Sequence, residues 1–541
     1  MNGLRACALA AASLFVAGCA SSSGPSGGTT HAHWLRLATG GGDPNSLNIH
    51  QDPSLTAGII AELSQAYLVR YDRNGNPVPE LATEIPTQRN HGISADGKTI
   101  VWHLRRGVRW SDGAPFSADD VVFTVRAILN PKNNEEQGTV GWDLIAQIDE
   151  PDKNTVVFHL KRPYSDYLPL YFGTAGNEPC ILPQHILGKL ASFNDAPYNA
   201  APVGIGPFRV TAWRRGDAIE LEANPYYWRG KPKLERITYK LIPSQETLTA
   251  QMQTGEVDLW PETPPSYIDR LKAAPSLRVR VAPNYRTTNL DFVVTRPNVA
   301  DPRVRRAIRK ALDRRELVAK ILHGYGFLHD GVAIPLAPPA PESVVDRYDP
   351  AGARALLDAA GWRAGANGIR AKNGVPLALD LVYPAGSAEL DGQTELLRAY
   401  LKAVGIEVQS KKYAPNIFRA LQQNGGILYG GKYDMASYPR TLQSVADVRG
   451  LYSCASRPPN GENASRYCSP EADALLDRIQ GTYGEQERKA LLARYQQRLN
   501  DDAPTIMLFA WKGGTAANVR VTGFDPPILT PFDDMMGVDA R

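Results

Sequence analysis

Apolar positions along this chain follow two periods that trade places. Residues 155–160, 219–222, 237–242 and 278–281 alternate apolar with polar, or run apolar with β-branched side chains, as half-buried strands do. Between and after them the period lengthens to that of amphipathic helices, whose starts carry their own chemistry. Ser117 stands where its hydroxyl can cap the amide three residues on while Asp120 reaches back, a capping box that launches residues 121–128. Asp301-Pro302 pairs a capping carboxylate with a proline at the first helical position, where no amide is needed. Val304, Ile308, Ala311, Leu312 and Val318 then recur at helical spacing up to Gly324, which predicts one helix over that stretch. Asp349-Pro350 to Gly361 repeats the same start and stop. Residues 396–404 predict a helix stopped by Gly405, and 406–409 alternate at once as a strand, the short connection of a mixed sheet. The chain reads as α/β throughout, with no repeat of solenoid or propeller length.

Composition narrows the classes. With 541 residues, 43% of them hydrophobic and 21% charged, the chain can fill more than one core and is neither disordered nor coiled coil. A net charge of +4 over that length gives no electrostatic footprint for nucleic acid.

The N-terminus is more specific. Arg5 precedes an apolar run over residues 6–17, too short for a bilayer core of roughly 30 Å, so it predicts a signal peptide and not a membrane span. The run ends in Val16-Ala17-Gly18-Cys19, which resembles a bacterial lipobox, so Cys19 is the expected lipidation site. A polar Ser/Gly stretch follows as a flexible tether. Of five cysteines, Cys7 would leave with the signal peptide and Cys19 would take the lipid, leaving Cys180, Cys454 and Cys468 in the fold. Cys454 and Cys468 bracket a loop rich in Pro, Gly and Asn, where a disulfide would stabilise by about 3 kcal/mol in the chain-entropy model. Two cysteines so spaced, with no histidine nearby, do not make a zinc site.

Spread over nearly all the mature chain are segments that carry a family likeness. They begin with Asp43-Pro-Asn-Ser-Leu-Asn48, Pro79-Glu-Leu-Ala82 and Ser94-Ala-Asp-Gly-Lys-Thr-Ile100. The most specific block is His103-Leu-Arg-Arg-Gly-Val-Arg-Trp-Ser-Asp-Gly113 with Ser117-Ala-Asp-Asp-Val121. Gly204-Ile-Gly-Pro-Phe208, Asn224-Pro-Tyr-Tyr-Trp-Arg-Gly-Lys-Pro232, Gly255-Glu-Val-Asp258, Tyr348-Asp-Pro350, Ala360-Gly-Trp362 and Tyr467-Cys-Ser-Pro-Glu-Ala-Asp473 follow in order. In these the chain resembles the extracytoplasmic solute-binding proteins of the peptide and nickel class, which serve dipeptide, oligopeptide and nickel ABC importers. Physically, most of these residues read as scaffold: Asp96-Gly97 and Asp112-Gly113 as turns, Trp102, Trp110 and Trp228 as apolar anchors, Asp119 and Asp120 as first-turn acids.

The resemblance implies a two-lobe, periplasmic-binding-protein-like α/β fold with a hinge crossed twice and an extra N-terminal inserted domain. The expected division is a signal peptide over 1–19, a tether over 20–33, lobe I over 34–67, 201–285 and 505–541, an inserted domain over 68–200, and lobe II over 286–504. The outward hinge crossing is expected near 283–291 and the return near 499–506. The lobes would close on a peptide-like solute and deliver it to the importer's permease subunits, the protein remaining a lipid-anchored, exported monomer. Peptide binders of the family commonly place an aspartate for the solute's ammonium shortly before the segment that here is 451–454. Depending on alignment that position falls on Asp447, the preferred candidate, or near Arg440, which would suit a carboxylate. Tyr438 and Trp142 lie in segments that resemble cleft-lining ones and are further candidates, with a core role as the alternative for each. A nickel chelate, haem or sugar-derived solute, or a ligand-presenting signalling role, remains the competing reading.

Enzymatic signals are weak. Gly24-Pro-Ser-Gly-Gly28 matches a nucleophile-elbow pattern but sits in the tether without strand or helix, and Gly40-Gly-Gly-Asp43 lacks a phosphate loop's lysine. His31 and His33 stand alone near the chain start, and no His-Glu-x-x-His or Cys-x-x-Cys occurs. A binding protein is expected, without catalytic residues, cofactor or metal centre.

Overall fold

The computed structural model describes residues 32–65, 67–72, 75–135, 141–173, 179–331, 345–365, 367–420, 422–441, 448–525, 531–532 and 534–541. One 11-stranded sheet runs through most of them, in the order Glu407–Tyr413, Ala378–Pro384, Met435–Thr441, Leu277–Phe292, Thr505–Asn518, Leu259–Thr263, Trp34–Thr39, Arg236–Leu241, Ala218–Ala223, Phe208–Arg214, with the short Gly326–Phe327 beside Thr505–Asn518. Its two central strands are also its longest, 16 and 14 residues, and they pair antiparallel with each other. Pairing holds from Leu277 opposite Asn518 to Pro283 opposite Lys512, breaks, and resumes from Thr287 opposite Ala510 to Asp291 opposite Thr505.

Apolar side chains gather separately on the two sides of that break. Leu35, Leu37, Ile59, Phe208, Ile237 and Leu259 belong to one buried cluster, and Leu290, Phe292, Val304, Ile308, Leu381, Leu397 and Leu508 to another. The molecule is therefore two lobes joined by a pair of crossing strands. The return crossing does not lie at 499–506 as expected. That stretch ends the helix Glu485–Asp502 and begins the second crossing strand, whose register break faces residues 510–512.

A third core lies between the first lobe's strands Trp34–Thr39 and Phe208–Arg214 in sequence. Thr99–His103, Thr155–Leu160 and Ile145–Asp152 form a three-stranded sheet covered by the helix Ala118–Ile128. Ser117 and Asp120 make the full capping box at that helix start. Trp102, Trp110, Trp142, Phe158 and Tyr171 fill the core, and the Trp110 indole donates to Asp120 at 3.3 Å.

The helix expected from Asp301 to Gly324 is two helices, Pro302–Ala311 and Arg314–Ile321. Leu312 leaves the helical conformation, and Asp313 caps a new start by accepting the Glu316 amide at 3.0 Å. A second capping carboxylate within the apolar period outweighed continuity. The glycines of Gly204-Ile-Gly-Pro-Phe208 are required by close approach: a Cβ on Gly204 would stand 2.0 Å from the Ser64 carbonyl oxygen, and one on Gly206 2.6 Å from the Ser64 carbonyl carbon.

The inserted core also touches the second lobe. Tyr483, between the helices Pro470–Gly481 and Glu485–Asp502, packs its ring 6.2 Å from that of Tyr167. Its hydroxyl lies 3.0 Å from the Gly97 carbonyl and 3.1 Å from that of Tyr164. Ser165 donates its amide to the Gln480 carbonyl at 2.7 Å, Arg162 reaches the Gln480 side chain at 3.0 Å, and Arg488 pairs with Asp166.

Candidate functional site

Strand polarity locates the site. In the first lobe Trp34–Thr39, Arg236–Leu241 and Leu259–Thr263 run parallel, and in the second Ala378–Pro384, Glu407–Tyr413 and Met435–Thr441 do so. Thr263 pairs with Gly514, and Thr441 with Arg286. Both sets of parallel strands thus end at the register break, and their carboxyl ends meet over residues 284–286 from opposite lobes. Open α/β sheets bind ligands outside the carboxyl ends of their strands, so this crevice is the candidate site.

On the first lobe's lip, a chain of hydroxyls fixes the residues after Thr39. Thr39 Oγ1 and the Tyr239 hydroxyl lie 2.5 Å apart, Thr56 Oγ1 is 3.2 Å from the same hydroxyl, and Thr56 also donates to the Gly42 carbonyl at 3.0 Å. Glu262 stands in the last turn of pairing of Leu259–Thr263, between the buried Trp260 and Thr263. Its φ of 55° is left-handed, a conformation costly for a residue with a Cβ and concentrated at functional sites. From the crossing strand, Arg286 lays its guanidinium 4.6 Å from the Trp511 ring centre, and the Trp511 indole donates to Thr288 at 3.0 Å.

Glu262 and Arg286 are both exposed side chains, and the protein around them shifts their protonation. Burial pushes the Glu262 carboxyl up, with Arg286 opposing. Burial pushes the Arg286 guanidinium down, with Glu262 and Glu389 opposing and Arg419 adding to the effect. From the second lobe, Glu389 accepts the Ser387 hydroxyl at 2.8 Å in the first turn of the helix Ala388–Ala403, and Arg419 lies 5.3 Å over the Tyr438 ring while donating to the Pro439 carbonyl at 2.8 Å. Charges of both signs, from both lobes and the crossing strand, converge there.

Of the residues singled out in the sequence, the structure describes Arg440, Tyr438, Trp142, Cys454 and Cys468. Arg440 forms a 2.5 Å ion pair with Asp291, both side chains nearly withdrawn from solvent, and reaches the Tyr452 hydroxyl at 3.1 Å. Burial would lower its affinity for the proton, but Asp291 holds it well above the usual range. Asp291 also accepts from Tyr438 and Thr505, each at 2.6 Å. Arg440 is thus neutralised within the lobe, and Tyr438 spends its hydroxyl on the same carboxylate with its ring buried against Phe418. Trp142 is 1% exposed, its ring 5.0 Å from Phe172 and 5.2 Å from Tyr171, deep in the inserted core and not on a crevice wall. Asp447 and Cys19 lie outside the described residues. Cys454 and Cys468 are joined as a disulfide, and Cys180 is free and buried. Glu262, Arg286 and Trp511 went unrecognised in the sequence. The one signal for Glu262 was a carboxylate interrupting the apolar run Leu259-Trp-Pro. A cavity of about 30 Å³ behind the crossing strands, lined in part by Asn289, Tyr452 and Thr505, has room for a water or two and not for a peptide.

No helix among the described residues is long and apolar enough to cross a membrane. Among known proteins, the chain is 30% identical to Protein XP55 of Streptomyces lividans over 434 residues, 78% of this chain and 74% of that protein. It is 26% identical over 483 residues to the oligopeptide-binding protein AppA of Bacillus subtilis, covering 86% of this chain and 84% of that one. The crystal structure of NikA from Brucella suis in complex with Fe(III)-EDTA superposes with a TM-score of 0.80 at 24% identity, over 94% of this chain and 100% of that one, which establishes the two-lobe periplasmic-binding-protein fold. Residues 76–461 match the model of the bacterial extracellular solute-binding proteins, family 5, over the family's middle region. With that match, two lobes hinged on paired strands and a charged crevice where the strands end, the chain belongs to the bacterial extracellular solute-binding proteins of family 5, the peptide and nickel class, a family of binding proteins and not of enzymes.

Proposed function

We propose that this protein captures a peptide-like solute in the interlobe crevice and hands it, lobes closed, to the permease subunits of an ABC importer, while a lipid on Cys19 holds it at the outer face of a membrane. The observation that carries the reading is the convergence of both lobes' strand ends on the register break at residues 284–286, where a change of a few backbone torsions swings one lobe against the other. The relative AppA is an oligopeptide-binding protein, which supports a peptide as the solute. On this reading one lobe comprises 34–67, 201–285 and the chain's last stretch, the other begins at 286, and the return crossing lies at residues 510–512, opposite the break in pairing. Closure is favoured only as far as the solute binds the closed form more tightly than the open one.

The test is capture. Purified mature protein, incubated with a pool of di- to hexapeptides, is expected to retain a subset detected by native mass spectrometry and to melt at higher temperature in its presence. Retention of no peptide, together with a co-purified solute of another kind such as a metal chelate, would reassign the substrate class.

A further inference from the structure

The break in pairing at the hinge is bridged from its far side. Between the two crossing strands the register jumps from Pro283 opposite Lys512 to Thr287 opposite Ala510. On the other edge of the strand Thr505–Asn518, the short strand Gly326–Phe327 takes up the pairing over the same stretch: Phe327 stands opposite Ala510, Gly326 opposite Trp511, and the Tyr325 carbonyl accepts the Lys512 amide at 3.0 Å. Residues 325–327 of the second lobe thus cover both sides of the break. Their root is firm, because the Tyr325 amide donates to the Leu322 carbonyl at 2.7 Å, and Leu322 and Leu328 are buried in the second lobe's core. A strand of 2 residues is too short to resist bending alone. Its free end is held by a side chain. The Tyr325 hydroxyl donates to the Asp269 carboxylate and accepts from Lys272 Nζ at 2.9 Å, and the same ammonium stands 4.8 Å from the centre of the Tyr325 ring. Asp269 and Lys272 lie one turn apart on the first lobe's helix Pro265–Lys272, whose Ile268 and Leu271 are wholly buried.

We propose that residues 325–327 form a splint across the hinge and that Tyr325 is its pin, fastening the splint to the first lobe and holding the lobes at their present angle until it lets go. The inference goes beyond solute capture: it concerns the lobes alone and holds whatever solute the crevice takes. A gap in a β-ladder bends easily because no hydrogen bonds oppose it, and a segment laid beside the gap opposes bending only while both its ends are fixed. One end is fixed by continuity with the second lobe's core, the other by the bonds of a single phenol to the first lobe. Those bonds join opposite sides of the break, so a rotation that carries the helix Pro265–Lys272 away from the backbone at residue 512 breaks them. Contacts made in one lobe arrangement and not in another shift the balance toward the first by their differential worth. Tyr325 is half-buried and Asp269 and Lys272 are exposed, which keeps that worth modest. A modest brake suits a protein that must also reopen.

The experiment reads the lobe angle directly. Spin labels on Ala212→Cys in the first lobe and Lys402→Cys in the second, both exposed positions, report the interlobe distance of the solute-free mature protein by pulsed dipolar spectroscopy. With Tyr325 intact, one narrow distance population is expected. Tyr325→Phe keeps the ring and loses both hydroxyl bonds, and it should raise the ratio of longer to present distances about 3- to 10-fold, the factor for one partly solvated charge-assisted contact. Asp269→Asn combined with Lys272→Met should act in the same direction from the other lobe, with the melting temperature unchanged in both variants. An unchanged distance distribution in Tyr325→Phe overturns the pin. A fall in melting temperature without longer distances marks a tyrosine that only packs, and overturns it too. A broad distribution already present with Tyr325 intact would show lobes that no pin holds. Failure to capture any peptide leaves this solute-free readout untouched, so the splint and the proposed function fail separately.

Discussion

His50 is wholly buried, with its Nδ1 2.7 Å from Glu135 and its Nε2 2.8 Å from the Cys180 carbonyl. Burial alone would depress its proton affinity, but the Glu135 carboxylate and the Cys180 carbonyl more than reverse this, and the imidazole is held at about 10 against an ordinary 6.5. A group whose folded pKa is raised contributes stability that is complete below its unfolded pKa and disappears as pH rises through the folded one. We therefore predict a loss on the order of 4 kcal/mol of unfolding free energy between pH 6.5 and about 10, read by chemical denaturation. The same profile should flatten in His50→Gln with Glu135→Gln, which removes both charges together. The Asp291–Arg440 pair follows similar logic in the second lobe, where buried partners satisfy each other. Neither pair was legible in the sequence, because Arg440 and Asp291 stand 149 positions apart and His50 and Glu135 85 apart. Spacing announces partners only within a helix or hairpin. Arg440 thus looked available for a solute's carboxylate until its own carboxylate was placed beside it. Glu262 escaped notice for a related reason: a left-handed backbone at a glutamate leaves no mark in the sequence.

At the scale of elements, starts were easier to read than continuations. Ser117, Asp301 and Asp349 each cap the helix expected of them, since a side-chain oxygen and a proline or acid within one turn are local chemistry. What the pattern missed was competition, as where Asp313 cut one apolar period into two helices, and length, as where residues 278–281 proved to be part of a 16-residue strand. The register break that places the hinge depends on pairing between distant segments, so residues 499–506 were mistaken for it. Gly204 and Gly206 show an element junction with no tolerance: the helix Leu55–Ser64 ends with its last carbonyl against their α-carbons, and Gly206 donates its amide to that carbonyl at 2.9 Å. Gly206→Ala should cost about 1–3 kcal/mol of stability, the usual penalty for overpacking a site that cannot relax, measured by thermal or denaturant unfolding. An equal melting temperature in that variant would mean the junction yields more readily than its backbone contacts suggest.

Across the molecule as a whole, contacts among the described residues hold the lobes in their present arrangement besides the crossing strands. Near the hinge, the Tyr325 hydroxyl meets Asp269 and accepts from Lys272 at 2.9 Å. Far along the sequence, Tyr483, Gln480 and Arg488 dock the second lobe on the inserted core. Tyr483→Ala should widen the molecule in solution scattering without solute, and lower apparent affinity several-fold by reducing the fraction of closed protein. Unchanged scattering and unchanged affinity would show that this contact contributes nothing to closure. The overall architecture was the most legible level, because the likeness carried by blocks such as residues 103–113 and 117–121 extends along nearly the whole mature chain. The solute was the least legible, since it depends on a handful of side chains brought together from three separate stretches.

The Tyr483 contact has a bearing on evolution under changing diets. It is made between the inserted core and the second lobe's helices and not by the crevice residues, so its strength scales the affinity for every guest by one common factor and leaves their ranking alone. A lineage could therefore raise or lower its scavenging threshold by substitutions at residue 483 or its neighbours, while the preference for one nutrient over another stays written in the crevice.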